Sequence, residues 1–118
     1  MKNTLGLVIF GLALGIAGPA YAHTDLVKSL PAADSTGPAP QTIVLTFSEK
    51  VAPAFTGFAL TMSDGMKFAL ATAISADGKV ITCTPKGSLM AGNYKLVWHA
   101  ASADDGHRTE GSFSFKIK

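Results

Sequence analysis

Three histidines and an adjacent pair of aspartates have the types and spacing in this chain to hold a metal ion. His23 follows the tripeptide Ala20-Tyr21-Ala22, and His107 lies in the polar, glycine-containing stretch Ser102–Gly111 (SADDGHRTEG). Asp105 precedes His107 by two residues, across Gly106. In extended backbone the side chains at i and i+2 point the same way, so a carboxylate and an imidazole can converge on one ion. If the chain is cut after Ala22, His23 becomes a terminal residue and offers two nitrogens, its ring and the free amine. With the terminus and the loop at one end of the fold, the donors are an amine, two imidazoles and a carboxylate. Three nitrogens and one oxygen in a rough square plane suit Cu(II). The chelate ring closed by one terminal residue removes part of the entropy cost of gathering ligands. Zinc takes the same donors but prefers a tetrahedron, and copper has the higher intrinsic affinity.

Each of these residues also has a plain structural reading. A signal peptidase tolerates many residues after its site, so His23 can be incidental. Asp-Gly-His is ordinary turn chemistry. His99 follows Trp98 on a strand, where it is expected to face outward or pack at an edge, with neither spacing nor loop position to recommend it as a ligand. Asp104 adjoins Asp105, and only the Asp-x-His spacing favours Asp105 as the oxygen donor.

The cut itself is written in the first residues. Lys2 supplies a positive start, Leu5–Ala17 is an uncharged run, and Ala20-Tyr21-Ala22 fits the small-x-small cleavage pattern. The run is short of the roughly 20 apolar residues a membrane span needs, and Pro19 follows it. The expected organisation is a cleaved secretory signal, residues 1–22, and one small domain, residues 23–118, exported to the periplasm with no membrane span of its own. The formal charge is +2, from 10 basic and 8 acidic residues without a cluster of either sign, so nothing points to nucleic acid or anionic lipid. Cys83 is the single cysteine, which excludes an intramolecular disulfide. Sharing a strand face with Ile81, it is expected to be a buried, inert thiol.

The elements that must position these residues read as strands. Ser112–Lys118 alternates polar and apolar without a fault, and Thr42–Phe47 and Asn93–His99 each place three large apolar residues on one face. Leu26–Leu30, Gly57–Met62, Lys67–Ala73 and Lys79–Thr84 complete the set, separated by turn sequences such as Ser63-Asp64-Gly65 and Ala76-Asp77-Gly78. About seven short strands at this spacing, with no convincing helical stripe, predict an all-β, immunoglobulin-like Greek-key sandwich or barrel. The loop carrying Asp105 and His107 joins two of its strands and therefore stands at one end.

His23 after a signal, LTFSEKVAPAF at Leu45–Phe55, YKLVWHAASADDGH at Tyr94–His107 and GSFSFKI at Gly111–Ile117 together resemble the CopC copper-resistance family. The resemblance runs through essentially all of residues 23–118. It implies a periplasmic protein that binds one Cu(II) through the His23 amine and ring, His107 and Asp105. It also implies a membrane copper-transport partner of the CopD type. Glu49 takes the acidic position of the family's Phe-Ser-Glu stretch and is expected to orient a ligating imidazole or to be a weak ligand; a solvated acid at a strand end is the alternative. Some relatives carry a methionine-rich Cu(I) loop. Here Met62, Met66 and Met90 are the methionines after the signal, so no separate site of that kind is expected, and Met62 and Met66 are expected to pack against neighbouring strands.

Two other functional classes compete. A terminal histidine plus a second histidine also builds the copper brace of polysaccharide monooxygenases, which need an open coordination position and a broad flat face. A metal-free immunoglobulin-like interaction module needs neither the cut nor the loop. No nucleophile elbow, glycine-rich phosphate loop or Cys-x-x-Cys pair is present.

Overall fold

The computed structural model describes residues 24–118, which form two β-sheets and no α-helix. In chain order the strands are β1 (Leu26–Leu30), β2 (Thr36–Gly37), β3 (Ile43–Phe47), β4 (Gly57–Met62), β5 (Lys67–Phe68), β6 (Leu70–Ile74), β7 (Val80–Pro85), β8 (Gly92–Ala101) and β9 (Arg108–Ile117). One sheet has the order β1-β3-β7-β6 and the other β2-β9-β8-β4-β5. All pairings are antiparallel except the short β2–β9 pair. This is the β-sandwich expected from the strand pattern.

Alternation decides which side of each strand is buried. Ile43, Leu45 and Phe47 of β3, Ile81 and Cys83 of β7, Tyr94, Leu96 and Trp98 of β8, and Phe113, Phe115 and Ile117 of β9 all face the space between the sheets. Their neighbours in β8 and β9 face solvent. Each such aliphatic or aromatic side chain, fully buried, stabilises the fold by roughly 1.5–3 kcal/mol. The centre is aromatic. Phe47 of one sheet meets Trp98 of the other edge-on, with ring centroids 5.1 Å apart at 77°, and Tyr94 stacks on Phe115 at 5.5 Å. The Tyr94 hydroxyl donates to the Met90 carbonyl at 2.6 Å, which ties the start of β8 to the loop before it. Cys83 is fully buried, and burial pushes its thiol up to about 12, so it is inert as expected.

Three local expectations change. Lys67–Ala73 is not one strand. β5 pairs with β4 in one sheet, β6 pairs with β7 in the other, and the chain crosses between the sheets at Ala69. Strands that switch sheets make the corners of sandwiches, and residue alternation cannot show where the switch falls. Thr36–Gly37, outside every expected strand, adds a two-residue parallel strand to β9. Met62 packs against the core, but Met66 is exposed at the tip of the β4–β5 turn, where its carbonyl accepts the Met62 N–H and no strand lies over its side chain.

Phe47 spans both sheets, so Phe47→Ala should cost about 3–5 kcal/mol of unfolding free energy in a urea titration. Met66→Ala at the exposed turn should stay within about 0.5 kcal/mol of the parent protein.

Candidate metal centre at one end of the sandwich

The β8–β9 hairpin builds the end of the molecule where the singled-out residues meet. Its ladder runs from Gly92↔Ile117 to Ala101↔Arg108 and closes through Ser102–His107. The loop is a compact turn, not the extended stretch that would align i and i+2 side chains. The Ser102 N–H donates to the His107 carbonyl at 2.9 Å, and the Gly106 N–H to the Ser102 carbonyl at 2.9 Å. Gly106 takes φ +73°, which a side chain would disfavour. Asp105 and His107 are brought together by a different device: Oδ1 of Asp105 accepts the backbone N–H of His107 at 2.9 Å. Such a local aspartate-to-backbone bond reverses the chain and fixes the carboxylate beside the histidine.

The electrostatics agree with this geometry. The Asp105 carboxyl is held below the usual carboxylate value, chiefly by the His107 N–H, with help from the Ser102 hydroxyl and from positive charge on His107. The Asp104 N–H donates to the Ser102 hydroxyl at 3.2 Å, on the inner side of the same turn. Ser102 is buried, so the loop stands on a fixed base.

A second segment braces the loop. Beyond β3 the chain runs through Ser48, Glu49 and Lys50 to Val51, which bridges to Ser102. The Ala52 N–H donates to the Ala101 carbonyl and the Ala103 N–H to the Lys50 carbonyl, both at 2.8 Å. Glu49 therefore lies half-buried on the segment that adjoins the loop. His99 is elsewhere. It is exposed on the outward face of β8, level with Gly57 of β4 and Glu110 of β9.

The first described residues are pinned at this same end. Thr24 is fully buried, and its carbonyl accepts the Thr109 hydroxyl at 2.5 Å. On the other side the Asp25 N–H donates to the Ser48 hydroxyl at 2.9 Å, and the Asp25 carbonyl accepts the Ser48 N–H at 2.8 Å. Thr24 and Asp25 are thus held between the end of β3 and the start of β9. Sequence reasoning did not find Ser48 or Thr109, because partners separated by 23 and 85 residues leave no local pattern.

His23 lies outside the described residues. Among the described residues no three histidine, cysteine or acidic side chains converge as a metal set. What the fold assembles is an aspartate–histidine pair, a braced acidic segment and the start of the domain. A carboxylate oxygen and an imidazole suit a first-row divalent ion, and they need further nitrogen donors to favour copper.

The CopC domain model matches residues 26–118. Copper resistance protein C of Xanthomonas campestris pv. juglandis is 42% identical over all of this chain and 95% of its own length. Copper resistance protein C of Escherichia coli is 39% identical, covering 92% of this chain and 91% of its own. Among solved structures, PcoC, a methionine-rich copper resistance protein from Escherichia coli, superposes with a TM-score of 0.75 at 38% identity, over 82% of this chain and 100% of that one. CopC from Methylosinus trichosporium OB3b superposes with a TM-score of 0.74 at 26% identity, over 81% and 94% of the two chains. Strand pattern, fold and relatives agree: this chain belongs to the CopC family of copper resistance proteins.

Proposed function

We propose that the protein is exported, loses residues 1–22, and binds one Cu(II) ion through the His23 amine and ring, the His107 imidazole and the Asp105 carboxylate. The observation that carries this reading is the pinning of Thr24 and Asp25. Residue 23 is one Cα step, about 3.8 Å, from Thr24, and Thr24 is tied to Thr109, two residues beyond His107. The described domain therefore begins beside the loop that fixes Asp105, which supports a ligand role for a terminal His23. Half-buried Glu49, on the neighbouring segment, serves to orient an imidazole or as an outlying oxygen ligand.

Binding, storage and delivery of the ion account for these features without catalysis. The two curated relatives described above are named for copper resistance, and Asp105 would fill a coordination position that a copper oxygenase leaves open. We assign no separate Cu(I) site: Met62 is packed on the core, and soft Cu(I) favours several thioethers together. A membrane copper transporter of the CopD type remains the partner that the family resemblance implies.

The deciding experiment compares a protein that begins at His23 with one carrying a single extra residue before it. Cu(II) titration followed by electron paramagnetic resonance should show one tight site with a three-nitrogen signature in the first and a much weaker site in the second. Equal binding by both would remove the terminal amine from the ligand set. Copper has to displace protons from the amine and imidazole donors, so affinity should fall as pH drops, and a flat profile down to acid pH would argue against these ligands.

His107→Ala should weaken Cu(II) binding by at least an order of magnitude, consistent with loss of a coordinating imidazole, whereas His99→Ala should leave it near the parent value. Equal losses would assign the wrong histidine.

The Asp105–His107 bond also has its own pH signature in metal-free protein. A carboxyl whose folded pKa is depressed keeps this bond above the ordinary value of 3.8 and releases it as pH falls through the lower folded value. The His107 amide resonance should therefore titrate with a midpoint below 3.8. A midpoint at or above that value would show that the bond does not persist in solution.

A further inference from the structure

One edge of the five-stranded sheet is open beside the metal end. β2 covers β9 only at Lys116–Ile117, extended by the Asp34 N–H donating to the Ser114 carbonyl and the Lys116 N–H donating to the Ser35 carbonyl. At the other end of β9, Thr109 holds Thr24. Between these contacts Glu110, Gly111 and Ser112 have no strand of the described residues beside them on that side. Backbone bonding alternates along an antiparallel strand. The bonds of Ser114 and Lys116 show that even-numbered residues of β9 point away from β8, so Glu110 and Ser112 each direct an N–H and a C=O into the open edge. Among the described residues nothing answers these four groups.

The edge lies in a groove. Leu26 and Ala33 stand across from it, and Trp98 and Phe113 lie beneath. Gly111 forms part of the floor because a Cβ there would sit 2.8 Å from the Trp98 ring. Trp98 is 6% exposed, and its indole N–H has no acceptor among the described residues. Asp25 and Glu110 give the groove acidic residues at its metal end.

We propose that this groove receives an extended segment of a partner protein, which adds as a short strand along Glu110–Ser112 and places a lysine or arginine against Asp25 and Glu110. Unpaired edge groups are matched by an extended backbone, which is how strand addition works. The two carboxylates select a basic side chain, and the groove floor accepts apolar neighbours. The inference goes beyond the copper reading and does not rest on it, because every group involved is present in metal-free protein. A partner seated here would lie directly beside Thr24 and the Asp105–His107 loop.

The test is amide NMR of metal-free protein titrated with the blocked peptide Thr-Val-Lys-Val-Thr and with its twin carrying glutamate for lysine. The lysine peptide should shift the Glu110 and Ser112 amides and the Trp98 indole N–H, and it should bind about tenfold more tightly than the glutamate twin. Ser112→Pro should weaken binding by about tenfold or more while the fold is retained, since β8 does not use the Ser112 N–H and proline is tolerated on such an edge. Glu110→Lys keeps the backbone intact and should reverse the preference between the two peptides. Unmoved Glu110 and Ser112 amides, shifts centred on β6, or unchanged binding by both variants would overturn the proposal. So would concentration-dependent shifts of the edge amides without peptide, which would assign the edge to a second copy of the chain.

Discussion

The structure depends on the β8–β9 pairing. Ten rungs, from Gly92↔Ile117 to Ala101↔Arg108, fix the register of both strands, and a slip of one residue would turn every core side chain to solvent. With the register held, Tyr94, Leu96 and Trp98 face Phe113, Phe115 and the opposing sheet, and the Ser102–His107 loop has one position in which it can close. The site residues therefore inherit their placement from the core. Trp98 and Thr109 illustrate the coupling: one anchors the aromatic centre against Phe47, and the other, two rungs along the neighbouring strand, holds the start of the domain.

The parts legible in the sequence were those governed by short periods. Alternation located β1, β4 and the cores of β3, β7, β8 and β9 to within a few residues, and the same alternation identified Cys83 as buried. What it could not show was any event that depends on a distant partner. The crossover at Ala69 is set by where β4 and β7 lie, and the strand at Thr36–Gly37 exists only because β9 lies beside it. The site followed the same division. Asp105 and His107 stood out by spacing, but strand alternation was the wrong reason for their approach. A turn with Gly106 in a left-handed conformation and a carboxylate–amide bond brings them together instead. Ser48 and Thr109, which locate the chain start, had no local signature.

The end that carries the Ser102–His107 loop is also distinct in charge. Asp25, Glu49, Asp77, Asp104, Asp105 and Glu110 lie on or beside the loops there and outnumber Lys50, Lys79 and Arg108, while Lys67, Lys86, Lys95, Lys116 and Lys118 lie toward the other end and outnumber Asp34 and Asp64. A nearly balanced chain is thus polarised along its strands. Such a field raises the local concentration of cations at the acidic end, and its effect weakens as salt screens it. Total charge, the quantity most easily read from composition, conceals this arrangement because the two ends offset one another.

A sandwich of this size leaves edges that must be covered, shortened or charged if the protein is to stay monomeric. β2 and β5 are two residues long, β1 is broken by an irregularity between Leu26 and Lys28, and β6, the remaining edge, is five residues long. β9 is different: it is ten residues long, and its cover stops partway. Lengthening β2 toward the Ser102–His107 loop would have closed the gap, but it would also have run the chain across the groove beside Thr24. The open stretch at Glu110–Ser112 is protected only by its own shortness and by the negative charge of Glu110 and Asp25. The charge repels a second copy presenting the same acidic edge, and the shortness limits what such a pairing gains. Neither repels an extended segment of opposite charge, so the edge discriminates by charge beside the Asp105–His107 loop.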